Sequence, residues 1–162
     1  MTGFNPADYG TAVAEILATP RLAPLGPGSP DPSLSPKLQA IDLPPLCRAG
    51  LWLYFDFLDE SHRLSQDIET PDGSFWHAIM HRREPDAENS KYWWRRVGKH
   101  PVLARLVEQT PALGYAFVSA PVFVDYCERA RDTGTADEEI ARRVQLLEWQ
   151  LIFDHCYLKG NS

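Results

Sequence analysis

Proline sets the first limit on what this chain can build. Eight of the 14 prolines fall between Pro20 and Pro45, in PRLAPLGPGSPDPSLSPKLQAIDLPP. Proline has no amide donor and pushes the residue before it away from helical geometry. This stretch is therefore expected to be extended. Its recurring apolar residues (Leu22, Leu25, Leu34, Leu38, Ile41) predict a wrap lying against the domain over residues 20–45.

Outside that stretch the apolar period is helical. It predicts a short helix over residues 7–18 and a long one over 46–65. The long one is apolar almost all round from Leu51 to Leu58, so it is expected to be the central, buried helix. Further helices are expected over 74–84, 87–97 (capped by Asp86 and closed at Gly98), 101–109 and 121–131. The last opens at Asp137 and carries Ile140, Val144, Leu147, Leu151 and Leu158 as one stripe. Only Gly114 to Val118, GYAFV, has the character of a short strand. The expectation is an all-α fold, one domain over 1–162: an orthogonal bundle of six to seven helices with a Pro-rich extended segment.

Composition narrows the function classes. The 162 residues are 44% apolar and 11% aromatic, enough for a core without disulfides or a structural metal. A net charge of -6 repels phosphate backbones and anionic lipid, so neither nucleic acid nor membrane is an expected partner. The longest apolar run, residues 51–55, is far too short to span a bilayer. No cationic and apolar leader opens the chain. Cys47, Cys127 and Cys156 are widely spaced with no CxxC, which predicts buried free thiols and a cytoplasmic protein.

Chemistry concentrates in residues 73–101, GSFWHAIMHRREPDAENSKYWWRRVGKHP. His77 and His81 are four apart and Glu84 three beyond, so the three share one helical face, with Ser74 one turn before. Two imidazoles at that spacing can reach one divalent metal, and Glu84 can serve as ligand, general base or supporting carboxylate. His77, His81 and Glu84 are the candidate acid/base residues. HAIMH lacks the glutamate of HExxH, which excludes that protease motif. A ligand from another helix is needed. Asp56, a carboxylate inside an apolar run, is the first candidate beside His77 and His81. His62, Glu148 and His155 follow.

The same segment is cationic. From Arg82 to Arg105 seven basic residues face three acids. Arg82, Arg83, Arg95 and Arg96 are candidate anion-binding forks, and Trp93 or Trp94 a candidate cleft wall. An equally weighted reading has these arginines pairing with acids such as Asp56, Asp59 and Glu60 to pin helices together. Trp52, Trp76 and Trp149 are assigned to the core.

The run WHAIMHRREPDAENSKYWWRRVGKHP resembles a signature of a family of uncharacterised bacterial proteins. The matching positions are Trp76-His77, Met80 to Asp86, Asn89, Lys91-Tyr92-Trp93, Arg95 to Gly98 and His100-Pro101. The resemblance covers under a fifth of the chain, brings no established activity, and supports only the choice of segment. GxSxG, Walker and GxGxxG motifs are lacking. The residues thus point to a cleft for a small anionic or ring-containing molecule, with a divalent metal as the cofactor under consideration. For an enzyme, hydrolysis or proton transfer is favoured over redox chemistry. The rival is a non-catalytic module that meets another protein, with the same motif as a hydrogen-bonded core.

Overall fold

A computed structural model describes residues 3–160, and among these the fold is all-α with no strand. Nine α-helices run in chain order: α1 (Thr11–Ile16), α2 (Ser35–Ala40), α3 (Pro45–Tyr54), α4 (Leu58–Gln66), α5 (Pro71–Arg83), α6 (Ala87–Val97), α7 (Pro101–Gln109), α8 (Ala120–Ala130) and α9 (Ala136–Gly160). Prolines open α3, α5 and α7, where a missing amide costs nothing. Asp86 caps α6 by accepting from the Asn89 amide, and Ser119 caps α8 through the Val122 amide. GYAFV forms no strand. It precedes α8 as a connection, with the Phe117 amide donating to the Thr110 hydroxyl.

The long helix expected over 46–65 is two helices. α3 ends at Tyr54, and α4 starts at Leu58 after a break in which Asp56 takes φ 72. Left-handed backbone is costly for a residue with a side chain, though aspartate tolerates it better than most. The Asp56 carboxylate is held there by Arg83 (2.5 Å) and by Arg21. Gly28, itself at φ 70, lies so close that an added Cβ would sit 2.5 Å from the Asp56 carboxyl carbon. A glycine is required at that contact. The first helix is also shorter than expected: a 3-10 turn (Pro6–Tyr9) and α1 flank Gly10.

The central helix is α5, not the apolar 46–65 stretch. Every residue from Asp72 to Arg83 is buried, although six of them are polar. That is tolerable because the charges are paired. Arg82 forks onto Glu148 of α9 at 2.7 and 3.0 Å and reaches Gln145 at 3.2 Å. Arg83 donates to Asp56, to the Leu53 carbonyl (2.6 Å) and to the Gly26 carbonyl (3.0 Å).

The Pro-rich segment packs Leu25, Leu38, Ile41 and Leu43 into the core and contains α2, which the proline density hid. Its first half makes few backbone bonds of its own, so side chains take its carbonyls. Arg142 takes those of Leu22 and Ala23, Gln145 those of Ala23 and Pro24, and Arg131 that of Leu25. Arg82 and Arg83 are enclosed and paired, so they are not anion-recognising forks: Arg83 pairs with Asp56, as the helix-pinning reading has it, and Arg82 with Glu148 rather than with Asp59 or Glu60. The expected cost of stranding one buried partner is about 3–5 kcal/mol. Arg83→Met and Glu148→Leu should each lower the urea unfolding free energy by that order. Arg95→Ala, on the surface, should change it by less than about 0.5 kcal/mol.

Candidate functional site

The break at Asp56 turns α4 onto the outer side of α5, and this brings His62 to the histidine pair. His77 and His81 stack with ring centres 4.8 Å apart. His62 meets His77 at 4.7 Å and His81 at 5.4 Å, edge-on to both. One ligand nitrogen from each of the three lies within 4.8 Å of the other two. His77 and His81 are buried and His62 is partly exposed, so the cluster is closed on the core side and open beside α4.

The pair and Glu84 do share a face, as their spacing predicts. His81 Nδ1 sits 2.5 Å from Glu84 Oε1. With the proton on Nδ1, donated to the carboxylate, the Nε2 lone pair of His81 is left free. Metal-ligating histidines are oriented in this way by an outer carboxylate. Glu84, nearly half exposed at the C-terminus of α5, is therefore a positioning partner of His81. Asp56, the expected third ligand, is not brought to the histidines, because its carboxylate is consumed by Arg83 and Arg21. His62 takes the place it was assigned. Nothing in the local sequence separates His62 from a surface histidine; only the turn between α3 and α4 does.

α6 supplies the side wall. Ser90, Trp94 and Val97 form its buried ridge, with Ser90 donating to the Ala78 carbonyl at 2.7 Å and Trp94 edge-on to Phe75. Trp93, one step round the helix, stacks on His77 with ring centres 3.8 Å apart and planes 18° from parallel. Arg96 lies over the Trp93 ring at 5.4 Å, and Arg95 over Tyr92 at 5.9 Å. α5 and α6 pack directly together, so the concave surface beside this segment lies elsewhere. A groove of about 450 Å³ is lined by Trp94, Lys99, His100, Leu103, Phe117 and Val118 among others, and by none of His62, His77 and His81.

Burial, then the neighbouring His81 and His62, pushes His77 down to about 3. Burial and His81 lower His62 as well, opposed by Glu84 and Asp59. Both rings are thus neutral at neutral pH, the form that ligates a metal.

A second histidine cluster joins residues that no local spacing in the sequence connects. Asp72, in the first turn of α5, accepts from His100 Nε2 (2.7 Å) and Lys159 (2.9 Å), with His155 Nε2 at 3.1 Å. Burial favours the protonated Asp72 acid, but His100 and Lys159, with His155, hold it well below the usual carboxylate range. His100 Nδ1 accepts the Val102 amide at 3.1 Å as the cap of α7, which places the ring proton on Nε2. That nitrogen has no lone pair to offer a metal. Cys47, Cys127 and Cys156 are free and buried, as expected, and burial raises each thiol, Cys47 and Cys127 to about 12; none is a nucleophile.

No family model, curated protein or solved structure matches the chain. The expected pH behaviour follows from the histidines. A ring whose folded pKa is depressed binds fewer protons folded than unfolded, so stability is retained above the unfolded value of 6.5 and lost as pH falls toward about 3. Between pH 6 and 4.5 the unfolding free energy should fall by up to about 1.4 kcal/mol per pH unit on account of His77. His77→Gln should flatten that slope in urea titrations at stepped pH.

Proposed function

We propose that this protein carries a divalent transition-metal centre, ligated by His62, His77 and His81, opening on a small-molecule binding site at the outer edge of α4, α5 and α6. The observation that carries the reading is the convergence of three imidazoles from two helices, with Glu84 orienting His81. Three neutral nitrogens suit zinc, nickel or copper, whereas magnesium and calcium prefer oxygen. Three protein ligands also leave a coordination position for a small donor, which distinguishes a working site from a structural one with four. His62, partly exposed, is the edge at which such a donor would enter.

A second reading is favoured by the enclosure of Arg82 and Arg83: the segment is a hydrogen-bonded core, and the protein acts by meeting another protein. The two divide along α5, since the arginines face α9 and the wrap while the histidines face α4 and α6.

The full chain, stripped with chelator and dialysed against zinc, should retain one metal per chain, with a Tm several degrees above the stripped protein. His62→Ala should keep its helical circular dichroism and lose the metal and the Tm increment. His81→Ala should do the same at some cost in stability. No zinc uptake by the native chain, or uptake unchanged in both variants, would leave only the core reading standing.

A further inference from the structure

We propose that the small molecule is held at this site by an oxyanion, a carboxylate or phosphate group, gripped by Arg96. The proposal rests on the metal reading above and adds the chemical class of the ligand.

The cations of the segment sort into two groups. Arg82 and Arg83 are enclosed and paired with buried carboxylates, and Lys91 pairs with Asp125 at 2.6 Å. Arg96 is exposed, and among the described residues no carboxylate pairs with it. Its guanidinium lies over Trp93, whose ring is stacked on His77. A guanidinium set over a ring spends its face and keeps its in-plane N–H edge, the edge that forks onto two oxygens. Asn89, four residues before Trp93 and partly buried, brings a side-chain amide to the same face of α6. Arg95 lies one step round the helix over Tyr92, whose ring stands edge-on to Trp93 at 5.2 Å, so it is one ring removed from the Trp93–His77 stack.

Charge makes the binding conditional. The carboxylates of Glu84, beside His81, and of Asp59, acting on His62, disfavour an anion at the metal-free cluster. A divalent ion reverses the local sign, so anion and metal should bind with positive coupling, each raising the affinity of the other. A ring-bearing ligand has less to use, because His77 covers one face of Trp93 and Arg96 lies over the ring.

Cobalt(II) tests both layers, because its visible absorption reports the ligand set. The cobalt-loaded chain should take up one ion, and its spectrum should change saturably on titration with inorganic phosphate, with acetate, or with both. The anion that acts names the group. Arg96→Ala should bind cobalt as before and need at least tenfold more anion for half-saturation, while Arg95→Ala behaves as wild type. Calorimetry on the metal-free chain should show no phosphate binding. A cobalt spectrum indifferent to both anions, or an Arg96→Ala titration that overlays the native one, would overturn the oxyanion site and leave the metal centre intact. Failure to take up cobalt would overturn both.

Discussion

The ion pair between Arg83 and Asp56 is the joint on which the rest of the fold turns. Asp56 sits in left-handed backbone between α3 and α4, and Arg83 comes from the end of the central helix. The same guanidinium closes the carbonyl end of α3 at Leu53 and takes the wrap's carbonyls at Gly26 and Pro27. One enclosed cation thus connects three parts of the chain that have few backbone bonds to each other. Its desolvation is offset only because each donor finds an acceptor, so the arrangement is specified tightly or not at all. The break it stabilises is also what places His62 against His77 and His81. The candidate site therefore depends on a charge pair that is not part of it.

α5 shows how one helix can serve both ends. At 100° per residue, Arg82 and Arg83 project toward α9 and α3, and His77 and His81 toward α4 and α6. The helix has no apolar stripe of the usual kind because its surroundings are polar on several sides. Helices buried on every face are ordinarily apolar all round. Here the charged side chains are paired: Arg82 with Glu148, Arg83 with Asp56, His81 with Glu84 and Asp72 with His100. Buried nitrogens without a hydrogen-bond partner remain at His77 Nδ1 and Arg82 Nε.

That pattern explains what could be read from the residues and what could not. α6 and α7 have the expected bounds, because an aspartate cap, a closing glycine and an opening proline are local signals. Trp52, Trp76 and Trp149 are in the core, as helical spacing suggested. The break at Asp56 carried no local signal: seven apolar residues around it read as one continuous helix, and the partners that bend the backbone lie at Arg21, Gly28 and Arg83. In an unbroken buried helix Asp56 is a carboxylate in need of a partner, which points to a ligand role, and α5, rich in charge, does not read as central. α2 was hidden for the opposite reason, since Ser35 and Pro36 suit a helix start better than the proline density around them implies.

The two histidine clusters differ in a way that residue type cannot express. Both place imidazoles beside a carboxylate, and both lie along α5. At His100 the ring accepts a backbone amide on Nδ1 and donates from Nε2 to Asp72, so its proton is fixed on the nitrogen that faces the cluster. At His81 the carboxylate engages Nδ1, and a proton held there leaves the Nε2 lone pair free. The first arrangement stitches the start of α5 to α7 and the end of α9. The second keeps a lone pair available. A hydrogen bond on the far side of the ring decides which histidine holds helices together and which can hold an ion.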